Sequence, residues 1–128
     1  MQHKFSLHIL SAALLIAGLA PAIHAQNDRD MHDRARFATD RAIGDLQRVM
    51  NDGNLTGDQS GRLDAATRDL HQFRESVDNG NFDRDRLDHA MRDIDFVMNN
   101  GRLNDRQRNE LREDLHRLQD LRDHSWHQ

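Results

Sequence analysis

Apolar residues recur at helical spacing in four stretches of the chain. The clearest stretch follows Gly53, where apolar side chains return at intervals of three and four residues and so share one helix face. The same spacing returns after Gly80 and after Gly101, and a fourth stretch precedes Gly53. The stripes consist of Phe37, Ile43, Leu46 and Met50; Leu63, Ala66, Leu70, Phe73 and Val77; Leu87, Met91, Ile94 and Met98; and Leu111, Leu115, Leu118 and Arg122, with Leu121 beside the last. The predicted helices run near residues 29–51, 56–78, 83–99 and 104–124.

The turns between these helices share one chemistry. Gly53, Gly80 and Gly101 each follow Asn or Asp residues at the end of a stripe, and glycine there is suited to the left-handed conformation that ends a helix. An apolar residue and then a capping residue follow each glycine. These pairs are Leu55 and Thr56, Phe82 and Asp83, and Leu103 and Asn104. A glutamine three residues after the first and third caps, Gln59 and Gln107, predicts a capping box at both helix starts.

The chain contains an internal duplication. Residues 40–63 and 88–111 match at ten of 24 positions when the second segment is aligned with a shift of 48. Each copy comprises the end of one helix, a glycine turn and the start of the next helix. Short connections place successive helices antiparallel. The sequence therefore predicts an all-α fold in which two duplicated hairpins form an up-down-up-down four-helix bundle. The alternative is a pair of open hairpins that completes its core by forming a homodimer.

Residues 1–25 have the layout of a secretory signal peptide. Lys4 precedes an apolar run at residues 9–20, and the segment at 21–25 offers a small residue for cleavage after Ala25. The run is shorter than the roughly 20 apolar residues of a membrane-spanning helix. We therefore expect a periplasmic or secreted protein without a membrane span after cleavage. Residues 26–128 are expected to form a single helical domain that contains the repeat. The chain has no Cys, which excludes a lipoprotein anchor and disulfides.

Charge and composition argue against two classes of function, nucleic-acid binding and catalysis. The chain carries 18 Lys and Arg against 22 Asp and Glu, a formal net charge of −4. This acidic balance and the scarcity of aromatic residues argue against nucleic acid as a partner. Cys and Tyr are absent, and no spacing of Ser, His and Asp suggests a catalytic set, so we do not expect an enzyme. Asp alternates with Arg along the helices in a pattern typical of a solvated surface lattice of ion pairs.

The C-terminal segment concentrates residue types that bind metal ions. His116, Asp120 and His124 are spaced by four residues and would share one helix face, with His127 nearby. Two imidazoles four residues apart can chelate zinc or copper. The alternative is a solvated helix end that binds no cofactor, where His also suits the helix dipole.

Bulky aromatic side chains are the candidates for contact with a partner. They are Phe37, Phe73, Phe82, Phe96 and Trp126. Phe96 is the most informative of them because the equivalent position in the first repeat is Arg48. It also points partly away from the apolar stripe of its helix. We therefore predict that Phe96 is exposed or lies in an interface.

The helix starts at 55–59 and 103–107 also resemble the LTxxQ motif of the Spy/CpxP group of small periplasmic helical proteins. The residues that carry the resemblance are Leu55, Thr56 and Gln59 in the first segment and Leu103, Asn104 and Gln107 in the second. Asn104 stands where the family has Thr. The resemblance implies an ATP-independent chaperone or envelope-stress factor that acts on protein clients or envelope proteins, usually as a cradle-shaped dimer.

The leading functional hypothesis is therefore a non-enzymatic exported binding protein of a chaperone-like or envelope-stress type. Two alternatives remain open. One is a periplasmic protein that binds zinc or copper through the C-terminal helix, and the other is a structural or assembly module that docks to a partner.

Overall fold

The computed structural model describes residues 2–124, with the backbone alone for residues 2–25 and Asn27. The described residues form four α-helices, as the apolar pattern predicted. These are α1 (Gln2–Asn51), α2 (Gly57–Asp78), α3 (Arg84–Asn100) and α4 (Asp105–His124). The ends of α2, α3 and α4 agree with the predicted ends to within about one residue.

The start of α1 differs from the prediction. The helix begins at Gln2 instead of near residue 29, so it runs through the segment expected to be a signal peptide. That segment is rich in Ala and Leu, which are strong helix formers, and no glycine turn separates it from the first apolar stripe. Cleavage after Ala25 stays a prediction. Among the described residues, no helix combines the length and the apolarity that membrane crossing requires.

The chain divides into two compact units, residues 1–31 and residues 32–128. The first unit is helical over residues 2–31. The second contains the remainder of α1 together with α2, α3 and α4, and it holds the hydrophobic core. The core includes buried side chains from all four helices. They are Ala35, Ala38, Ala42, Ile43, Leu46 and Val49 of α1; Leu63, Ala66, Leu70, Phe73 and Val77 of α2; Leu87, Ala90, Met91, Ile94 and Val97 of α3; and Leu111, Leu115, Leu118 and Leu121 of α4.

Polar contacts connect the helices of the second unit in a closed ring. Arg36 of α1 pairs with Asp78 of α2 at 3.4 Å, and Arg62 of α2 pairs with Asp93 of α3 at 3.7 Å. The ring is completed by two further contacts. These are Arg122 with Asp88, which joins α4 to α3 at 3.1 Å, and Gln107 with Asp52, which joins α4 to the end of α1 at 2.5 Å. One chain therefore encloses its own core as an up-down-up-down bundle.

The glycine turns follow the prediction in two cases and depart from it in the third. Gly53 and Gly80 have φ values of +76° and +85°, the left-handed conformation expected after a helix. Gly101 has φ −81° and ψ 154°, which is extended backbone, so the expectation of a left-handed residue there is wrong. Instead, a Cβ atom at Gly101 would lie 2.5 Å from the carbonyl oxygen of Val97. Close approach of the backbone, and not a positive φ, accounts for this glycine.

Candidate functional site

The first LTxxQ-like segment forms the start of α2. Thr56 Oγ1 accepts a hydrogen bond from the Gln59 backbone N–H at 3.2 Å, and Gln59 Oε1 accepts one from the Thr56 N–H at 3.2 Å. These two bonds form the predicted capping box, which satisfies two backbone donors that the helix leaves unpaired.

The second segment forms the same structure at the start of α4. Asn104 Oδ1 accepts from the Gln107 N–H at 2.8 Å, and Gln107 Oε1 accepts from the Asn104 N–H at 3.1 Å. Asparagine therefore performs the capping role of threonine here, as expected from its rank among N-cap residues. The substitution of Asn for Thr leaves the local geometry of the motif intact.

The side chains of the two motif glutamines also form hydrogen bonds between the hairpins. Gln59 Nε2 donates to the backbone carbonyl of Asn100 at 3.1 Å, and Gln107 Nε2 donates to Asp52 Oδ2 at 2.5 Å. Residues 52 and 100 are equivalent under the repeat shift of 48, so the two bonds are related by the internal duplication. Each motif thus fastens its own helix start to the turn of the other hairpin. The repeat aligns positions 52 and 100, which hold Asp and Asn, but the capping pattern did not predict that the glutamines bond to them.

The motif leucines support the same end of the bundle. Leu55 and Leu103 are half-buried and pack against the core. Leu55 also lies beside the turn of the other hairpin, because a Cβ atom on Gly101 would be 3.5 Å from Leu55 Cδ2. All six motif residues therefore lie where the two interhelix turns meet.

The candidate partner-binding aromatics are dispersed over the bundle. Phe37 of α1 has 61% of its surface exposed. Phe73 is fully buried in the core, so its assignment to partner contact is wrong: its stripe position faces the other helices. Phe82 is half-buried and packs edge-on against Phe73, with ring centroids 5.0 Å apart and an interplanar angle of 87°. This contact stabilises the α2–α3 turn.

Phe96 lies under an arginine. The ring is half-buried against the core, and the guanidinium carbon of Arg62 lies 3.7 Å from its centroid. Arg62 also approaches Asp58 at 3.5 Å and Asp93 at 3.7 Å. A cation–π contact of this kind covers one face of the aromatic ring. Phe96 is therefore partly accessible and is shielded by a side chain that would have to move before a partner could bind that face.

The predicted metal ligands do not assemble among the residues that the structure describes. His116 and Asp120 are exposed, and the Nδ1 atom of His124 lies 2.8 Å from the backbone carbonyl of Asp120. The His124 ring is thus turned toward its own helix. Among the side chains that the structure describes, no group of three His, Asp, Glu or Cys residues is placed to hold a metal ion. The predicted set also includes His127, so a metal site in this segment stays a prediction. His127 and Trp126 lie outside the described residues.

Two aspartates do not lie on the solvated helix faces where the sequence pattern placed them. Asp45 and Asp114 are 2% and 1% exposed. Asp114 occupies a core position, since the buried residues of α4 recur as Gln107, Leu111, Asp114 and Leu118. The expectation that Asp residues lie on solvated faces is wrong for these two, because their helix positions face the neighbouring helices. A helical projection of α4 could have identified Asp114.

Burial changes the acidity of Asp114 and Asp93. Removal from water raises the pKa of Asp114 to about 6, with the opposing attraction of Arg117 and Arg41 unable to restore the ordinary value. Burial also raises the pKa of Asp93, although Arg62 counteracts the shift. Asp114 Oδ2 is buried without a hydrogen-bond partner.

Comparisons with protein-family models, with curated proteins and with solved structures found no match to this chain.

Proposed function

We propose that this protein is an exported, non-enzymatic binding protein that acts as a chaperone-like or envelope-stress factor. The observation that carries the proposal is the pair of LTxxQ-like segments, which resemble the Spy/CpxP group and occupy equivalent places at one end of the bundle. The apolar segment at residues 9–20, followed by the small residue Ala25 at the expected cleavage position, supports export.

The binding surface proposed for clients centres on Phe37. This side chain is the exposed large apolar residue of the described part of the chain, and it lies on the outer face of α1. Arg34 and Arg41 stand three residues before it and four residues after it, and both are exposed. Residues at these spacings are neighbours on a helix surface. Asp33 and Asp40 are exposed at the corresponding spacings, so the apolar side chain is surrounded by both signs of charge. The surface therefore suits an unfolded segment that presents an apolar side chain among charged residues.

Aggregation of a chemically denatured enzyme, followed by light scattering, tests this function. We expect the unaltered protein to suppress scattering without ATP, and Phe37→Ala to suppress it less. Gln47→Ala is the matched control because Gln47 is exposed on the same helix. Both variants should unfold within about 0.5 kcal/mol of the unaltered protein, as is usual for exposed positions. A lack of suppression at a several-fold molar excess of the unaltered protein would reject the chaperone-like role.

Export is tested separately by expressing the full chain in a bacterium and fractionating the cells. The expected product is a periplasmic or secreted protein whose intact mass corresponds to an N terminus at Gln26. Retention of the uncleaved chain in the cytoplasm would contradict the proposed localisation without bearing on client binding.

A further inference from the structure

The internal duplication makes two interfaces of the bundle equivalent. The α1–α2 hairpin corresponds to the α3–α4 hairpin, so the α2–α3 interface corresponds to the α1–α4 interface. The two differ in connectivity, because a short turn joins α2 to α3 whereas α1 and α4 are the first and last helices. The α1–α4 interface therefore closes the bundle, and no turn joins its two helices. The hydrogen bond from Gln107 to Asp52 crosses this interface at the start of α4.

Cross-helix ion pairs stabilise the α2–α3 interface. Arg86 of α3 pairs with Asp69 of α2 at 3.6 Å, and Arg62 of α2 pairs with Asp93 of α3 at 3.7 Å. The two aspartates retain 24% and 23% of their side-chain surface in contact with solvent. Both aspartates of this interface are thus paired with an arginine of the opposite helix, and both keep part of their contact with solvent.

The equivalent aspartates of the α1–α4 interface are in a different environment. Asp45 corresponds to Asp93 under the shift of 48. Asp114 corresponds to Asp69 under a shift of 45, because Asp69-Leu70-His71 near the end of α2 recurs as Asp114-Leu115-His116 in α4. Both are buried, and each forms its ion pair with an arginine three residues later on its own helix. For Asp114 that arginine is Arg117, at 3.2 Å from Oδ1. Neither ion pair connects α1 to α4.

Asp114 has one oxygen with no hydrogen bond. Oδ1 accepts from Arg117, but Oδ2 is buried without a partner. A buried carboxylate oxygen left unpaired is costly when it is ionised and much less costly when the group is protonated. The charge state of this one side chain therefore changes the stability of the interface in which it is buried.

The charged groups around Asp114 come from both helices. Arg41 acts on it from α1, and Arg117, Glu110 and Glu113 act on it from α4. Asp45 lies on the same face of α1 as Arg41, four residues later. The arginines favour the ionised carboxylate, whereas burial and the two glutamates favour the protonated form, and the balance raises the pKa to about 6.

We propose that the charge state of Asp114 makes the α1–α4 interface sensitive to pH. The interface stays closed when the carboxyl is protonated and opens more often when the carboxyl is ionised. Opening hydrates the unpaired oxygen and exposes the apolar faces of α1 and α4. The proposal concerns the conformation of the bundle and does not depend on the proposed function.

The direction and size of the effect follow from proton linkage. The closed interface binds the Asp114 proton more tightly than the open one, in which the pKa returns toward 3.8. The opening equilibrium therefore rises as pH increases between about 4 and about 6 and levels off above that range. Between about pH 4 and about pH 7.5 we expect an increase on the order of 50-fold.

Hydrogen–deuterium exchange of the full chain tests the proposal. After correction for intrinsic exchange rates, amides in residues 35–49 and 111–121 should lose protection on going from acid to neutral pH, whereas those at the centres of α2 and α3 should change much less. In Asp114→Asn, which keeps the shape and cannot ionise, the selective loss should disappear. Asp69→Asn alters the equivalent position of the α2–α3 interface and should retain it.

Three results would overturn the proposal. One is an unchanged pH dependence of exchange in Asp114→Asn. A second is an equal loss of protection in all four helices. The third is a carboxyl titration of Asp114, measured by carbon NMR on the unaltered protein, with a midpoint at the ordinary value of 3.8. The NMR titration can overturn the proposal even if the variant does not fold.

Discussion

Gly101 shows how a single position can need glycine without needing a left-handed backbone. Its N–H donates to the Val97 carbonyl at 2.7 Å, which brings the backbone against the last turn of α3. A Cβ atom would be 2.5 Å from that oxygen and 3.2 Å from Val97 Cγ1. The carbonyl belongs to the helix backbone and cannot turn aside, so the chain itself would have to shift.

Substitution of Gly101 by Ala should therefore destabilise the protein by about 1–3 kcal/mol, the usual cost of overpacking. The matched control is Gly61→Ala in α2. A Cβ atom there meets nothing within 4 Å, and its φ lies outside the left-handed region. Alanine at that helical position should stabilise the protein by about 0.5–1 kcal/mol. Urea unfolding followed by circular dichroism at both positions measures the difference. Equal effects of the two substitutions would contradict the steric explanation.

At the scale of elements, the helix starts and the turns act together. The capping boxes satisfy the first backbone donors of α2 and α4, and the same two glutamines attach each helix start to the opposite hairpin. The two positions differ in burial. Gln107 is 5% exposed and hydrogen-bonds the carboxylate of Asp52, whereas Gln59 is half-buried and hydrogen-bonds a neutral carbonyl through an exposed contact.

Replacement of Gln107 by Ala should consequently cost more than replacement of Gln59 by Ala. Loss of a hydrogen bond to a charged group at a buried position costs about 1.5–3 kcal/mol, and loss of a neutral one costs about 0.5–1.5 kcal/mol. Chemical denaturation of the two single variants gives both values directly. If Gln59→Ala proved the more destabilising variant, the cross-hairpin bond of Gln107 would not have the importance assigned to it.

At the scale of the molecule, closure of the bundle places a titratable group in its interior. The pKa of Asp114 is raised from 3.8 to about 6 on folding, so the folded state holds the proton more tightly than the unfolded state. The favourable contribution is complete below about pH 4 and is lost as pH rises through about 6.

The pH dependence of unfolding should therefore differ between the unaltered protein and Asp114→Asn. Near pH 4 we expect the two to have similar free energies of unfolding. Near pH 7.5 the variant should be more stable by roughly 2 kcal/mol, since each unit of pKa shift is worth about 1.4 kcal/mol. Urea titrations at the two pH values test this. A variant that is less stable than the unaltered protein at neutral pH would show that the Arg117 pair outweighs the cost of burial.

Sequence alone determined the local architecture because its causes are local. Apolar spacing of three and four residues defined the helix faces, and the residues around positions 56 and 104 defined two helix starts with their capping boxes. The left-handed turns at Gly53 and Gly80 followed from the same short-range chemistry.

Tertiary structure decided which of these residues are accessible and which meet. Phe37 and Phe73 both belong to an apolar stripe in the sequence, yet Phe73 is enclosed and Phe37 is exposed. Phe96, which points partly away from its stripe, is covered by Arg62. Likewise, equivalent aspartates of the two repeats form ion pairs across the α2–α3 interface but are buried in the α1–α4 interface. The physical reason is that burial and ion pairing depend on side chains from helices that are distant in sequence. Those side chains come together only when the four apolar stripes pack around one core.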